Sequence, residues 1–229
     1  MNCTAPRATP SAVIGLYCGG VETFLAQDGR ALTTAIRKAP VAEALLEPAG
    51  FRGDASAEAA HRPLDRAVHL FAHECYAEVE ARLGRVLPRP AFGENLIATG
   101  IREEQVYVGD RFRVGSAVIC ATQPTERCRT IGRSLGMPRI LKVLHELDVR
   151  GFYARVLEPG RVAPGDPLVL LERPQSGWSI KRLHRLMFRG LDHQGLLAEA
   201  MALEQLSSAK VMGGRLHRGE PLNSSLGEV

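Results

Sequence analysis

The sequence predicts a mainly β protein with a closed β-barrel core, peripheral helices and a small helical segment after the core. Short apolar strand-like runs separated by glycine-containing turns recur along residues 11–174. Few stretches of helical periodicity interrupt them, whereas helical periodicity takes over after residue 174. We therefore expect a barrel domain with its N-terminal β segments over residues 1–174, a helical domain over 175–212 and a flexible tail over 213–229.

Composition and charge are those of an ordinary globular protein. The chain has 229 residues, 45% hydrophobic and 24% charged, with a net charge of +4. That charge suits an anionic small ligand as readily as nucleic acid. No stretch approaches the roughly 18 apolar residues of a membrane helix, and the short apolar run over residues 11–17 predicts a first strand rather than a leader peptide. We expect a cytoplasmic monomer or homodimer without a membrane or a nucleic-acid polymer as partner.

The first part of the chain predicts two strands and a helix. Residues 12–14 and 32–36 are typical of β segments, and residues 28–29 form an Asp-Gly turn signal between them. Over residues 70–84 apolar side chains recur every four positions. This spacing predicts an amphipathic helix that ends at Gly84.

The second part predicts a β-meander followed by alternating elements. Short β runs within residues 105–121 meet at 109–110 and again at 115–116. Both junctions suit tight hairpin turns because glycine accepts positive φ. The remaining expected elements are a helix over 139–147, strands over 152–157 and 168–171, and helices over 179–189 and 196–206.

The five cysteines do not form a recognisable framework. Their count is odd, their spacing is irregular and no pair has the CxxC arrangement, which argues against both a disulfide scaffold and a zinc cage. Cys75 lies on the apolar stripe of the expected helix and Cys120 on an alternating strand, so we interpret both as core residues. The sequence assigns no role to Cys3 or Cys18.

Several segments, taken in order, carry a resemblance to a known family. They are residues 92–96 (FGENL), 108–110 (VGD), 123–124 (QP) with Cys128 shortly after, 151–157 (GFYARVL) and 162–166 (VAPGD). Together they resemble the MOSC domain, named for the C-terminal domain of molybdenum cofactor sulfurases. Residues 33–40, 53–54 and 61–69 look like the N-terminal half of the bacterial hydroxylaminopurine-resistance branch. Residues 178–187 are similar to the start of the three-helix domain that closes this branch.

The resemblance implies a barrel-like core, a pterin-based molybdenum cofactor rather than pyridoxal phosphate, and reduction of N-hydroxylated compounds such as modified nucleobases. It places the metal-binding cysteine on Cys128 and basic contacts to phosphate and pterin on Lys38 and Arg66. A separate reductase is implied as electron donor, since the sequence has neither an iron–sulfur cysteine cluster nor a GxGxxG fingerprint. The full set of expected cofactor-binding residues is Lys38, Arg66, His69, Gly93, Glu94, Asn95, Gln123 and Arg127.

The expected catalytic residues are Cys128, His61 and Asp65, and their chemistry suits this reaction. A thiolate is the soft ligand that high-valent molybdenum accepts, although an isolated cysteine is more often a small buried hydrophobe. His61 and His69 flank Asp65 and offer a proton donor for the water lost when an N–OH bond is reduced. Structural hydrogen bonding is an equally common use of such groups.

Three hypotheses about function follow. The first is a molybdenum-dependent oxidoreductase acting on N-hydroxylated substrates. The second is a binding module that carries the cofactor, or moves sulfur through a persulfide on Cys128, without reductase turnover. The altered loop over residues 61–66, which has HRPLDR where relatives have HGGPDK, favours this second hypothesis somewhat. The third is a scaffold that has lost the cofactor.

Overall fold

The structure, a computed structural model of the chain, describes residues 11–55, 64–189, 194–204 and 206. About 34% of the chain is strand and 23% is helix, so the fold is mixed α/β with several sheets. No helix in the described ranges is both long enough and apolar enough to cross a membrane.

An eight-stranded sheet forms the centre of the molecule. Its strands are β1 (Val13–Cys18), β4 (Ala39–Pro40), β7 (Val68–Ala72), β8 (Leu96–Ala98), β9 (Arg111–Val114), β10 (Ala117–Pro124), β11 (Phe152–Glu158) and β13 (Leu168–Glu172). Their order in the sheet is β13-β9-β10-β11-β7-β8-β1-β4. β7 and β8 run parallel, and the other neighbouring pairs are antiparallel. Every residue of β10 is buried, which makes this strand the middle of the core.

Two smaller sheets flank this centre. A hairpin joins β2 (Glu22–Leu25) to β3 (Ala31–Thr34), and the turn between them contains the Asp-Gly pair expected from the sequence. The other sheet has three strands, in which β5 (Ala44–Glu47) lies between β12 (Gly160–Val162) and β6 (Gly50–Phe51).

The expectation of a mainly β fold built on a closed barrel is wrong. The eight-stranded sheet has two edges, β13 and β4, and within the described residues no ladder joins them. Ala12, just before β1, makes one isolated bridge to Pro167, just before β13. Short strands separated by turns are as compatible with open sheets as with barrels, because closure depends on how the outermost strands pair and leaves no periodic signal in the sequence.

Helices lie between and beside the strands. They are α1 (His73–Leu83), α2 (Arg129–Leu135), α3 (Ile140–Glu146), α4 (Ile180–Arg189) and α5 (Gln194–Met201). The predicted end of α1 is confirmed: Gly84 has φ +69° and its N–H donates to the Glu80 carbonyl. The predicted start is wrong, because residues 68–72 form β7, whose five residues are all buried. A fully buried strand is continuously apolar and resembles part of a helical stripe.

The meander is partly confirmed. Gly115 has φ +57° and lies in the turn between β9 and β10, as expected. Residues 109–110 precede β9, but the preceding residues 105–108 form no strand, so no hairpin is made there. The expected helix over 139–147, the strands over 152–157 and 168–171, and helical structure within 179–189 and 196–206 are confirmed, with shifted bounds.

The C-terminal helices contact the same core as the sheet. α4 packs on β10, and its Ile180 and Leu183 belong to the main hydrophobic cluster. The indole Nε1 of Trp178 donates to Glu199 of α5 at 2.7 Å. The proposed domain boundary at residue 174 and the three-helix count stay predictions, and the proposed tail over 213–229 lies outside the described residues.

Candidate functional site

The connection between β10 and α2 places Cys128 at the protein surface. Cys128 has an extended backbone (φ −118°, ψ 165°) and immediately precedes α2. Cys128 is exposed, whereas Cys18, Cys75 and Cys120 are buried. The interpretation of Cys75 and Cys120 as core residues is therefore confirmed. Among the described cysteines, Cys128 is therefore the one whose sulfur is open to a ligand arriving from solvent.

Arg127 anchors the segment that carries this cysteine. One guanidinium nitrogen, Nη1, donates to the Phe92 carbonyl at 3.2 Å, and Nη2 donates to the Arg150 carbonyl. The guanidinium carbon lies 5.1 Å from the ring centroid of Phe92 and 5.6 Å from that of Phe71. Burial lowers the pKa of Arg127, but an arginine side chain does not deprotonate in proteins. A fixed positive charge therefore lies next to Cys128 in the chain.

Gln123 puts an amide side chain into the protein interior. The residue has no solvent exposure, and the register between β10 and β11 shifts just before it. Within the described part of the chain, neither its Oε1 nor its Nε2 has a hydrogen-bond partner. Leaving a buried polar group unpaired costs about 1–3 kcal/mol, so such groups nearly always have partners. A pterin ring carries both donors and acceptors, so the side chain of Gln123 fits that group.

The loop over residues 93–95 is held from inside by Tyr76. Glu94 is fully buried, and its Oε2 accepts the N–H of Phe92 at 2.8 Å while its Oε1 accepts the Tyr76 hydroxyl. The Tyr76 oxygen also accepts the Ala91 N–H at 2.8 Å. Burial raises the pKa of Tyr76 well above its usual value, which keeps the phenol protonated as a donor. Gly93 has φ +76°, a conformation that favours glycine.

Asn95 and Lys38 meet at the buried carboxylate of Asp54. The Asn95 Oδ1 accepts the His69 N–H at 3.1 Å, and its Nδ2 donates to Asp54 Oδ2 at 2.9 Å and to the Tyr17 carbonyl at 3.2 Å. The Lys38 ammonium lies 2.5 Å from Asp54 Oδ1. The two charged side chains are 5% and 1% exposed, so the charge of Lys38 is balanced inside the protein.

Arg66, the second expected basic contact, lies closer to the surface than Lys38. Its Nη2 donates to Glu126 Oε1 at 2.8 Å, with side chains 21% and 28% exposed. The guanidinium carbon lies 5.6 Å from the Tyr153 ring centroid. This contact links the short 3-10 helix Leu64–Arg66 to the segment between β10 and α2.

Asp65 and His69, two of the three residues expected to take part in proton transfer, lie within the described residues. The Asp65 carboxylate lies 3.2 Å from Arg155 Nε, and both side chains are partly exposed. His69 is 5% exposed on β7, with its ring centroid 5.5 Å from that of Tyr153. His61 lies outside the described residues.

The fold therefore brings most of the expected residues into one connected set. Arg127 bonds to Phe92, Arg66 bonds to Glu126, and His69 and Asn95 bond to each other. These contacts join three segments, 65–69, 92–95 and 123–128, and Lys38 joins them through Asp54. The expected residues thus differ mainly in access, since Cys128 is exposed while Glu94 and Lys38 are enclosed.

Sequence reasoning did not assign the partners of these residues. They are Asp54, Tyr76, Glu126 and Arg150. The Lys38–Asp54 and Arg66–Glu126 pairs span 16 and 60 positions in the chain. No helical or strand period connects residues at such separations, so no local signal could have identified them.

Comparisons with known proteins show which family the chain belongs to. The MOSC domain family model matches residues 57–169. The chain is also 37% identical over 179 residues to the uncharacterized protein YflK of Bacillus subtilis, covering 77% of this chain and 80% of YflK. The chain belongs to the MOSC family. MOSC domains are associated with binding of the molybdenum cofactor.

Two further comparisons bear on fold and activity. The crystal structure of YiiM from Geobacillus stearothermophilus has a TM-score of 0.75 and 27% identity, covering 90% of this chain and all of that chain. A protein of Gibberella moniliformis named "Reductase" is 30% identical over 211 residues, covering 87% of this chain but only 36% of the fungal protein. Together with the family, these similarities support a function related to the molybdenum cofactor and suggest an oxidoreductase.

Proposed function

We propose that this MOSC protein holds the pterin-based molybdenum cofactor at residues 123–128 and reduces N-hydroxylated compounds such as hydroxylaminopurine. The observation that carries the proposal is the combination of an exposed thiol at Cys128 with the fully buried amide of Gln123, which lacks a partner in the described part of the chain. Cys128 would ligate the metal as a thiolate, Gln123 would bond to the pterin, and Arg127 would balance negative charge.

The proposed reaction is a two-electron reduction. The overall balance is R–NHOH + 2 e⁻ + 2 H⁺ → R–NH₂ + H₂O, in which the N–O bond breaks and the oxygen leaves as water. The bound cofactor supplies the oxygen-atom and electron chemistry that side chains lack. The protein contributes orientation and protons, and Asp65, His61 and His69 are the proposed proton-handling groups.

Arg66 is the stronger of the two proposed phosphate contacts. A phosphate at Lys38 would have to compete with Asp54 for an ammonium that is only 5% exposed. A phosphate at Arg66 would compete with Glu126 for a partly exposed guanidinium, which has five donors and can bond to two acceptors at once. We propose that Lys38 supports the Asn95 loop and that Arg66 contacts the ligand.

Electrons are proposed to come from a separate reductase. The sequence has no cysteine cluster for an iron–sulfur centre and no GxGxxG fingerprint for a flavin or nicotinamide. The exposed position of Cys128 would place the metal close to the surface, where a donor protein could approach.

A second candidate function is a cofactor carrier or a sulfur-transfer module. The same exposed thiol favours it, because an accessible Cys128 could hold a persulfide as readily as a metal. Such a protein would bind molybdenum or transfer sulfur without reducing N-hydroxylated substrates.

One set of measurements separates these functions. The protein is purified from cells that make the cofactor, its molybdenum content is measured, and reduction of hydroxylaminopurine is assayed with a chemical electron donor. We expect molybdenum and turnover in the wild type, both lost in Cys128→Ala and both retained in Cys120→Ala, whose cysteine is buried on β10. Molybdenum without turnover supports the carrier, and full activity in Cys128→Ala contradicts the assigned ligand.

A further inference from the structure

A buried carboxylate lies in the loop between β8 and β9, where neither the expected site nor the proposed reaction uses it. Glu103 is 4% exposed. Its Oε1 accepts two backbone N–H groups, from Arg150 at 2.6 Å and from Gly151 at 2.7 Å. Its Oε2 has no hydrogen-bond partner among the residues described. Glutamate is almost never this deeply buried without a specific partner, and here its partner is a turn of the backbone.

That turn supports the segment proposed to hold the cofactor. The Arg150 carbonyl accepts the Thr125 hydroxyl at 2.5 Å and also accepts Arg127 Nη2. The Thr125 N–H donates to the Gly151 carbonyl at 3.1 Å. Thr125 and Arg127 lie between Gln123 and Cys128 in the chain. The positions of both proposed ligand contacts therefore depend on where the 150–151 turn is held.

Helix α4 holds the same turn from the other side. The Arg150 Nε donates to His184 Nε2 at 2.6 Å, which requires the proton of a neutral imidazole to be on Nδ1. The His184 Nδ1 lies 2.9 Å from Asp148 Oδ1, and Asp148 also pairs with Arg185 at 2.6 Å. His184 itself is completely buried. The turn is thus fixed at its backbone by Glu103 and at the Arg150 side chain by α4.

We propose that Glu103 is a positioning residue for the molybdenum cofactor site. Its carboxylate fixes the 150–151 turn, and the turn fixes Thr125 and Arg127 and with them Gln123 and Cys128. Glu103 acts through the backbone and has no direct contact with the ligand. The inference rests on the proposed function, because it concerns the same site.

The test compares Glu103→Met with a matched control. Methionine has about the length of glutamate but no oxygen, so it removes the acceptor of the Arg150 and Gly151 N–H groups. We expect activity per bound molybdenum to fall about tenfold, since small misplacements of reacting groups can cost that much or more, and the Mo(V) electron paramagnetic resonance spectrum to change. The control is Glu74→Met. The Glu74 carboxylate also accepts a backbone N–H, from Gly100 at 2.8 Å, and also has an unpartnered buried oxygen among the described residues. It should keep the wild-type spectrum.

A milder variant is used if Glu103→Met does not fold. Thr125→Val removes only the hydroxyl that donates to the Arg150 carbonyl. It should change the spectrum in the same direction by a smaller amount. A wild-type spectrum and wild-type activity per bound molybdenum in Glu103→Met, or in Thr125→Val where the former does not fold, would overturn the proposal.

A measurement on cofactor-free protein separates this inference from the proposed function. Hydrogen exchange of the Thr125 amide reports directly on its bond to the turn. We expect at least tenfold faster exchange in Glu103→Met than in the wild type and no change in Glu74→Met. Absence of molybdenum from wild-type protein would contradict the proposed function, whereas unchanged Thr125 exchange would contradict the role of Glu103.

Discussion

The ammonium nitrogen of Lys38 lies 2.5 Å from Oδ1 and 2.7 Å from Oδ2 of Asp54, in a pair whose side chains are 5% and 1% exposed. The same carboxylate accepts the N–H of Gly19 and the amide of Asn95. A lysine that the sequence assigns to ligand binding is thus part of an internal network that holds the 93–95 loop.

Replacing Lys38 with methionine should destabilise the protein strongly. The substitution leaves the buried Asp54 carboxylate without its cation, and breaking a buried pair on one side costs about 3–5 kcal/mol. Urea unfolding of cofactor-free protein measures this directly. The matched control is Arg52→Met, which removes an exposed pair with Glu47 and should cost less than about 1 kcal/mol. Equal losses in the two variants would contradict the internal role of Lys38.

The Lys38 pair also shows which features the sequence could predict. Local features were accessible: the end of α1 at Gly84 and the turn at Gly115 both follow from glycine at positive φ. Features that join distant segments were not. No periodicity in the sequence indicates that Lys38 pairs with Asp54. None indicates whether the edge strands pair, which decides between a barrel and an open sheet. The candidate positions came from motif resemblance, and only the structure separates exposed Cys128 from enclosed Glu94.

Alkylation should distinguish the cysteines sharply. Burial raises the pKa of Cys18 to about 11 and that of Cys75 to about 12, so at pH 8 both thiols are protonated as well as shielded. Cys128 is exposed. With iodoacetamide at pH 8 and peptide mass mapping, we expect Cys128 to be modified at least about a hundredfold faster than either, because the thiolate is the reactive form. Comparable rates at Cys128 and Cys75 would show that the site segment does not expose its sulfur.

Tyr76→Phe should weaken both the fold and the loop that borders the site. The phenol donates to Glu94 and accepts from Ala91, so its removal leaves two buried groups unpaired. Each unpaired buried group costs about 1–3 kcal/mol, so we expect a total loss of about 2–6 kcal/mol. Chemical unfolding of cofactor-free protein provides the measurement. The control is Tyr107→Phe, because Tyr107 is only partly buried and its hydroxyl makes no hydrogen bond within the described residues. This variant should cost less than about 1 kcal/mol, and equal losses in the two variants would contradict the role of the Tyr76 hydroxyl.

Glu103 should make stability depend on pH. Burial raises its pKa from the usual 4.5 to about 7, so between these values the folded protein binds a proton that the unfolded chain releases. The stabilising contribution is complete below about pH 4.5 and is lost as the pH rises through about 7. Relative to Glu103→Gln, the wild type should therefore lose up to about 3 kcal/mol of unfolding free energy across this window. A difference between the two proteins that does not vary with pH would contradict a raised pKa.

Gln123→Met should stabilise the cofactor-free protein while weakening its capacity for molybdenum. In the described part of the chain neither polar atom of this buried side chain has a partner, so an apolar side chain of similar length removes a penalty of about 1–3 kcal/mol. The matched control is the neighbouring Thr122→Val. The Thr122 hydroxyl bonds to the carbonyls of Asp65 and Tyr153 at 2.7 and 3.0 Å, so its removal should cost about 1 kcal/mol instead. Urea unfolding of protein from cells unable to make the cofactor, with molybdenum content measured from cells that make it, tests both effects. A residue kept for ligand binding is expected to lower the stability of the ligand-free protein. If Gln123→Met is instead less stable than the wild type without cofactor and still binds the full amount of molybdenum, the Gln123 amide serves the fold.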